Sequence, residues 1–596
     1  MEFRQDIQIL RGIAVLFVVL FHLEIAGLAS GFLGVDVFFV VSGFLMAILY
    51  KEGEVKKFFE RRAKRLLPAY FATVGLTFFA SLFLVLPSEL GQVATQSIYS
   101  VFFANNIGFW MQNSYFSKSD FNPLLHLWSL GVEIQFYLIT PILVWFFRKS
   151  KFLLPIALIS SLALCIFMVG ISPKTSFFMM PLRVWEFLIG FMIATYLTVN
   201  GNIKYKNLSS IGLLGFLTLI AIPFLKVDGE SLNRIYGHPG LYALIVCIAT
   251  GLVIAFGIPK SLIKSKLGKI VAQIGNYSYS IYLVHFPIIV LYLYEPFSGT
   301  KLYPESYVDK FILLILIVVA SILMHKFVEL RRYNKIAKVY LVSFLAIICL
   351  TGMTKIVPNF YSEQQQNIFY GVKDRDTYRC GKIIRITDPS AISCKLNSED
   401  HSNSVLLVGN SHADSIKKVF SSVMDKNQYN TYFLVTNTPM MGNDLPPNQI
   451  INEAIKNKIS WIFLHYKSDS LDLNKLDELI EIAASKNIKI TVVLPVPMYE
   501  YSPYYESSIP KTLFNNKESK LTYSQYLSMN NEVIDTVNKL QIKFPNFNYV
   551  ETASMFCNPI CIISDDDKKP YYFDDDHLTV TGAEMLKPTF ERIFMH

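Results

Sequence analysis

Long apolar stretches recur through the first 356 residues of this chain, and they constrain its fold more than any other feature. Each is about 17 to 23 residues long, enough to cross roughly 30 Å of hydrocarbon as an α-helix. Only 17% of the residues are charged, whereas a soluble domain has about a quarter. A shorter stretch, 96–111, is predicted to be a re-entrant or interfacial helix. The pattern predicts a polytopic α-helical membrane bundle of about eleven transmembrane helices, near 7–27, 34–50, 66–86, 126–147, 153–170, 180–197, 208–225, 241–257, 278–295, 310–328 and 339–356.

Positive charges are distributed unevenly between these stretches. If the N-terminus is cytoplasmic, the loops 51–65, 148–152, 198–207, 258–277 and 329–338 carry about 20 Lys and Arg, and the opposite loops carry about 5. Because Lys and Arg accumulate in cytoplasmic loops, this asymmetry predicts a multi-pass membrane protein, surrounded by lipids, with its C-terminal third outside the cytoplasm. Orientation also explains the net charge of +9, so no nucleic-acid partner is predicted.

The seven cysteines fall into two groups. Cys165, Cys247 and Cys349 lie in apolar stretches and are predicted to be small core residues. The other four form two close pairs in the exported part, where disulfides persist, and we expect two disulfides, Cys380 with Cys394 and Cys557 with Cys561. Histidines at metal-ligand spacing are absent from the sequence, so no metal is predicted.

The first apolar stretch contains two ionisable residues on one helical face. Arg11 and His22 are eleven residues apart, or about 1100° of helical rotation, which is three turns plus about 20°. Ionisable side chains inside a membrane are costly, so they usually face a polar interior. Both residues are therefore candidates for a polar path through the bundle. The alternative is a structural pair satisfied by glutamate or by backbone carbonyls.

Further polar residues lie near the cytoplasmic side and at membrane depth. Arg62 and Arg65 are neighbours on a helical face, and paired guanidiniums suit bidentate recognition of phosphate. A basic stop at a helix entrance would also explain them. Three more clusters together exceed what helix packing alone requires; they are 126–133 with His126 and Glu133, 183–186, and 280–285 with His285.

These residues resemble the membrane-bound acyltransferase-3 family over roughly residues 3–332. The same resemblance includes the segment Gly34-Val35-Asp36-Val37-Phe38-Phe39-Val40-Val41-Ser42-Gly43. The resemblance implies a membrane domain over 1–332 with ten transmembrane helices. It also implies transfer of an acyl group, usually acetyl from acetyl-CoA, to an extracytoplasmic carbohydrate. The residue roles it implies are donor binding by Arg11, Arg62 and Arg65, catalysis by His22, and substrate-binding or structural roles for Asp36, His126, Glu133 and His285.

After the eleventh predicted helix (333–356) and a predicted periplasmic linker (357–400), strand-like and helix-like segments alternate. The alternation predicts a parallel sheet with helices on both faces, an α/β/α domain over 401–596. Strands are predicted at 404–408, 431–435, 461–465 and 489–494, and helices at 413–424, 476–485 and 523–540.

Ser411 follows the first predicted strand at a tight Gly-Asn turn and opens a helix. This position presents its hydroxyl at the carboxyl end of the sheet, where open α/β domains bind ligands. A serine needs a base to become nucleophilic at neutral pH, and Asp574-x-x-His577 supplies one. In the alternative, Asn410 and Ser411 only cap the helix, which leaves the downstream Asp and His unexplained.

Gly409-Asn410-Ser411-His412 with Asp574-x-x-His577 resembles the SGNH hydrolase superfamily, although Asn410 stands where that superfamily commonly has Asp. The resemblance implies a flavodoxin-like fold with Ser411 as nucleophile, His577 as base and Asp574 as the carboxylate that orients the base. Gly442 and Asn443 are the candidates for its oxyanion hole.

The two resemblances together imply transmembrane O-acetyl transfer in a bacterial inner membrane, from cytoplasmic acetyl-CoA to a surface or lipid-linked glycan such as the O-antigen of lipopolysaccharide. Peptidoglycan or an exopolysaccharide is the alternative acceptor. A polytopic transporter fused to a glycan esterase is a different class, which the absence of an internal inverted repeat disfavours. A glycan-binding scaffold is a third class, and Arg62-x-x-Arg65 disfavours it because a scaffold for an outer glycan needs no cytoplasmic anion site.

Overall fold

The computed structural model describes residues 4–25, 27–112, 120–150, 152–199, 202–204, 208–229, 231–376, 392–434, 445–499, 508–518 and 520–595. The chain divides into two compact units, Met1–Val357 and Pro358–His596. The first unit consists almost entirely of apolar helices, and the second is a mixed α/β domain.

The first unit is helical because a helix satisfies the backbone hydrogen bonds of a long apolar segment internally. Its helices are α1 (Gln5–His22), α2 (Gly34–Leu49), α3 (Val55–Leu84), α4 (Pro87–Val101), α5 (Asn105–Met111), α6 (Leu127–Phe147), α7 (Leu153–Val169), α8 (Pro173–Phe178), α9 (Met180–Met192), α10 (Ser209–Ala221), α11 (Leu241–Phe256), α12 (Lys260–Lys264), α13 (Lys266–Tyr292), α14 (Tyr307–Met324) and α15 (Ile336–Met353). Two short strands, β1 (Thr198–Val199) and β2 (Asn202–Ile203), pair antiparallel after α9.

Each of the eleven predicted apolar stretches coincides with a helix. Among the described residues, eight helices are long and apolar enough to cross a membrane, and three shorter apolar helices cover the remaining stretches. The predicted helical bundle is therefore confirmed, while the number of crossings stays a prediction. The stretch 96–111 differs from the single helix predicted for it, because the chain turns at Phe103, where φ is 54°, between the end of α4 and the start of α5.

Close contact between α1 and α13 forms the centre of this unit. Gly12 and Gly275 permit the approach, because a Cβ at either position would collide with the backbone oxygen of Val271 or Gln8. The outermost helices are packed differently: α15 is fully described, and Ile347 is its one buried residue. Most of its other apolar side chains are exposed, as expected for a helix that contacts lipid, while Tyr340 and Phe344 pack against the bundle.

The second unit contains a six-stranded sheet with the strand order β3-β5-β4-β6-β7-β8. The strands are β3 (Ser393–Lys395), β4 (Asn403–Gly409), β5 (Tyr429–Leu434), β6 (Trp461–His465), β7 (Lys489–Val493) and β8 (Phe547–Val550). Strand β3 pairs antiparallel at the edge, and the other five pair in parallel. The parallel strands therefore have the 2-1-3-4-5 order of flavodoxin-like sheets.

Strand β4 is buried on both faces from Ser404 to Gly409, as expected for a parallel strand covered by helices. The helices of this unit are α16 (Glu363–Gly371), α17 (Ser411–Lys426), α18 (Pro447–Lys456), α19 (Leu473–Ala484), α20 (Ile509–Phe514), α21 (Tyr523–Met529), α22 (Asn531–Lys543), α23 (Val580–Glu584) and α24 (Lys587–Arg592).

The structure differs from the sequence prediction where elements are short. The predicted linker 357–400 contains α16, which Ser362 caps with a full capping box, and β3, which completes the sheet edge. Strand β8 and helix α18 are also additional to the prediction. The single helix predicted over 523–540 is two helices that meet at Asn530.

The cysteine predictions are partly confirmed. Cys557 and Cys561 form a disulfide, and Cys394 is also disulfide-bonded; its predicted partner Cys380 lies outside the described residues. Cys165 and Cys247 are free and buried, as predicted. Cys349 is exposed rather than a core residue, because it lies on the outward face of α15.

Candidate active site

Ser411 is the first residue of α17 and lies directly beyond the end of β4. Asn410 caps the helix, since its side-chain oxygen accepts a hydrogen bond from the backbone N–H of His412 at 3.0 Å. Gly409 is required where β4 passes β6, because a Cβ there would collide with the backbone oxygen of His465. The capping role thus falls to Asn410, and the hydroxyl of Ser411 is left exposed for chemistry.

The structure brings the three residues of the predicted triad together. His577 Nε2 lies 2.5 Å from Ser411 Oγ, and His577 Nδ1 lies 2.8 Å from Asp574 Oδ2. The other Asp574 oxygen accepts the backbone N–H groups of Asp576 and His577, at 3.2 and 2.8 Å. The Asp-x-x-His turn therefore holds its own carboxylate against its own imidazole.

A second carboxylate faces the same imidazole nitrogen. Asp576 Oδ1 lies 2.7 Å from His577 Nδ1. Its Oδ2 lies 3.2 Å from Lys467 Nζ and 3.4 Å from His412 Nε2. Asp576 is buried, whereas the side chain of Asp574 is 34% exposed. The His577 imidazole is consequently held by two carboxylates of different burial.

These carboxylates set the charge of the base. Burial favours the neutral imidazole, but the hydrogen bonds and charges of Asp574 and Asp576 outweigh it and raise the pKa of His577 to about 10. Burial also opposes ionisation of Asp576, and the hydrogen bonds from His412 and His577 outweigh that effect and hold its pKa well below the ordinary range. The resting site thus contains an imidazolium paired with carboxylates.

Two further histidines lie behind the triad. The rings of His412 and His577 are 4.7 Å apart between centroids, and those of His412 and His465 are 6.2 Å apart. Burial lowers the pKa of His412, and burial together with His412 lowers the pKa of His465 to about 3. His465 Nδ1–H donates to the Val493 carbonyl at 3.0 Å. Both rings are therefore neutral and structural in character.

Sequence reasoning did not assign roles to Asp576, His412 and Lys467. The only signal was adjacency, since His412 follows the nucleophile and Asp576 precedes the base. His412, Asp576 and His577 place ligand atoms within 4.8 Å of one another, so the expectation of a metal-free site stays a prediction. Gly442 and Asn443, the candidates for the oxyanion hole, lie outside the described residues.

In the first unit, Arg11, Arg62 and Arg65 line one cavity of about 80 Å³. Glu133 lines it too, and its carboxylate accepts hydrogen bonds from Ser42 and Tyr137. The three arginines predicted to bind the donor come from α1 and α3. Arg11 lies some 50 residues before Arg62 in the sequence. The structure brings them together, and their role stays a prediction.

His22 and His126 line a second, smaller cavity. His22 Nδ1–H donates to the Val18 carbonyl at 2.8 Å, and His126 Nε2–H donates to the Leu283 carbonyl at 3.0 Å. His285 lies behind them, with its ring centroid 5.3 Å from that of His22 and 5.6 Å from that of His126. The predicted catalytic His22 thus belongs to a buried cluster of three histidines.

Asp36 lies in a buried ion cluster with Arg183 and Glu186. Its Oδ1 accepts a hydrogen bond from Arg183 Nη2 at 2.7 Å, and Arg183 Nε lies 2.8 Å from Glu186 Oε1. All three side chains are fully buried. Breaking such a cluster by removing one partner would leave a buried charge uncompensated, so the geometry favours the structural alternative for Asp36.

Comparisons with known proteins agree with both family resemblances. A family described as an acyltransferase domain matches residues 4–326, and one described as an SGNH domain fused to AT3 domains matches residues 379–592. The O-acetyltransferase OatA of Staphylococcus aureus strain NCTC 8325 is 34% identical over 307 residues, which are 47% of this chain and 50% of that protein.

A putative O-acetyltransferase of Staphylococcus aureus strain MSSA476 is 32% identical over 317 residues, 48% of this chain and 51% of that protein. The chain thus matches about half the length of these relatives. The solved periplasmic domain of a Salmonella ser. Paratyphi A lipopolysaccharide acetyltransferase shares 15% identity over 40% of this chain and 99% of its own, with a TM-score of 0.26 that supports no structural argument. Because the acyltransferase match extends over more than half of the 596 residues, the chain belongs to the acyltransferase-3 family, with an SGNH domain fused to its membrane domain.

Proposed function

We propose that this protein is a membrane O-acetyltransferase that moves acetyl groups from cytoplasmic acetyl-CoA to hydroxyls of a surface glycan, such as the O-antigen of lipopolysaccharide. The observation that carries the proposal is the 2.5 Å contact between Ser411 Oγ and His577 Nε2. A serine paired with a base performs acyl transfer, and here it lies in a member of an acyltransferase family. The names of the curated relatives support acetyl as the group transferred.

Donor binding is assigned to the arginine-lined cavity of the first unit. The phosphates of acetyl-CoA match the guanidiniums of Arg11, Arg62 and Arg65, because planar guanidinium binds phosphate in a bidentate manner. His22 then serves as the catalytic group for passage of the acetyl group through the bundle. His126 and His285 support His22, and Glu133 contributes to the donor cavity.

At Ser411 the reaction has two steps. As Ser411 Oγ attacks the acetyl carbonyl carbon, neutral His577 takes the hydroxyl proton at Nε2. The bond between the acetyl group and the molecule that delivers it breaks, and that molecule leaves with the proton. A glycan hydroxyl then attacks the carbonyl carbon of the acetyl-serine while His577 takes the hydroxyl proton. The bond between the acetyl carbon and Ser411 Oγ breaks, and His577 returns the proton to Oγ, which regenerates Ser411. Gly442 and Asn443 remain the proposed donors to the oxyanion.

For topology, we propose eleven crossings, a cytoplasmic N-terminus, and a periplasmic second unit. The loop charges and the disulfide between Cys557 and Cys561 support this orientation. A C-terminal alkaline phosphatase fusion should be active, since that enzyme needs export, and a C-terminal GFP fusion should be dark. An active GFP with inactive phosphatase would contradict the proposed topology.

The function is tested by mass spectrometry of surface glycans from a deletion strain carrying wild type, Ser411→Ala or the matched control Ser421→Ala. Wild type and Ser421→Ala should restore a mass increment of one acetyl group, and Ser411→Ala should not. Separate analysis of lipopolysaccharide and peptidoglycan identifies the acceptor. If deletion raises glycan acetylation instead, the protein is an esterase and the proposal is wrong.

A further inference from the structure

The second cavity of the first unit is small and apolar apart from its histidines and one tyrosine. The volume open to the centre of a water-sized group is about 10 Å³. This is roughly enough space for one such group. The arginine-lined cavity offers about 80 Å³ by the same measure. The two cavities therefore differ several-fold in the size of group they can admit.

Val35 and Tyr282 line both cavities and so form the wall between them. The hydroxyl of Tyr282 lies 2.6 Å from Ser129 Oγ and 2.9 Å from the His126 carbonyl. These contacts restrain the tyrosine ring. A group that moves from the first cavity toward His22 must pass this wall. The restrained side chains of the wall limit the size of the group that can pass.

Two packed aromatic rings also line the second cavity. The rings of Trp128 and Phe177, both 3% exposed, are 4.4 Å apart between centroids. The fully buried Arg183 guanidinium lies 5.6 Å from the Trp128 ring and 5.9 Å from the Phe177 ring. Close packing of this kind resists expansion, because extra atoms force side chains off their preferred rotamers.

His22 presents one particular nitrogen for chemistry. Its Nδ1–H is used by the Val18 carbonyl at 2.8 Å, so Nε2 is the basic nitrogen of the neutral ring. Val18 lines the same small cavity. The catalytic histidine and the narrow apolar wall are therefore built from one turn of α1.

We propose that this second cavity is an acyl pocket that holds the methyl end of an acetyl group beside His22, and that Val18 and Val35 exclude longer chains. The inference rests on the proposed function and deepens it, because it names the residues that set the acyl-chain length of the donor. Discrimination by one methylene in an apolar pocket is about 10- to 200-fold. We expect wild type to prefer acetyl over propionyl by that factor, and over butyryl by more.

The test uses the full-length protein in inverted membrane vesicles supplied with equal acetyl-CoA, propionyl-CoA and butyryl-CoA. Ester-linked acyl groups on vesicle glycans are released with mild base and quantified by mass. Val18→Ala, which changes only the second cavity, should lower the acetyl-to-propionyl preference at least about 10-fold. Val35→Ala should lower it too. Val40→Ala, a buried α2 valine that lines neither cavity, should keep the wild-type preference.

The two alanine variants give independent tests if one fails to fold, and elution as a single species in detergent checks folding. Unchanged preference in a folded Val18→Ala or Val35→Ala that still transfers acetyl would overturn the acyl pocket while leaving the proposed function intact. Equal use of all three donors by wild type would also overturn it. If wild type transfers none of the three acyl groups, the proposed function itself fails and the acyl pocket falls with it.

Discussion

His577 in the second unit and His22 in the first are held by different kinds of partner. His577 is oriented by the carboxylates of Asp574 and Asp576 and contacts the exposed Ser411. His22 is oriented by a backbone carbonyl and is surrounded by rings. Carboxylates stabilise an imidazolium, whereas a carbonyl only fixes the tautomer. The partners of His577 suit proton transfer. The partner of His22 suits a neutral ring on the proposed route of the acetyl group through the bundle.

Loss of either histidine should have the largest effect and should separate the two sites. Transfer from acetyl-CoA should fall at least roughly 100-fold in both His22→Ala and His577→Ala, because each removes a proposed catalytic group. Hydrolysis of p-nitrophenyl acetate by the purified full-length protein bypasses His22. It should fall roughly 10³-fold in His577→Ala and stay unchanged in His22→Ala.

The matched control is His401→Ala, since His401 Nε2 lies 2.8 Å from Asp425 Oδ1 and, among the described contacts, His401 touches none of the three triad residues. It should keep both activities. Loss of ester hydrolysis in His22→Ala would show that the two sites do not act separately.

Removing one of the two carboxylates should have an intermediate effect. Asp574→Asn and Asp576→Asn should each lower hydrolysis about 10- to 100-fold, and the double variant should approach His577→Ala, because one remaining carboxylate still orients the imidazole. Steady-state rates of the three variants measure this. A single variant as inactive as the double would assign the whole role to one carboxylate.

The same variants should shift the pH dependence. Catalysis needs neutral His577, and its pKa is raised to about 10, so the rate should rise with pH toward about 10. Removing either carboxylate lowers that pKa and should move the rise to lower pH. By linkage, the paired imidazolium stabilises the fold fully below about pH 6.5 and loses this contribution as pH rises through about 10. An unmoved pH profile would contradict the charge assignment.

The smallest effect is expected at the donor cavity. Arg65→Lys keeps the charge but loses the bidentate geometry, so the KM for acetyl-CoA should rise about 5- to 10-fold, the equivalent of about 1 kcal/mol, with kcat little changed. Arg61→Lys is the control, because the Arg61 side chain is half exposed and its partner is Glu54, at 3.7 Å. Equal KM values in the two variants would return Arg65 to a role in topology alone.

Most of the architecture could be predicted from local pattern. Apolar runs of membrane-spanning length are helices in any context without water, so all eleven predicted stretches coincide with helices. Short elements were not predicted, because they depend on neighbouring elements and not on a local pattern. Strand β3 has three residues and exists only because β5 offers it an edge, and the boundary at Asn530 divides a segment whose periodicity reads as one helix.

The sequence by itself determined the family, the helical bundle, the α/β unit, and Ser411, Asp574 and His577, because these depend on composition, period and short spacing. Only the tertiary structure decided that Asp576 is a second partner of the base and that Asp36 belongs to an ion cluster with Arg183. It also decided that Val35 and Tyr282 divide two cavities. Such contacts join residues from separate elements, and their distances follow from packing geometry that no local pattern specifies.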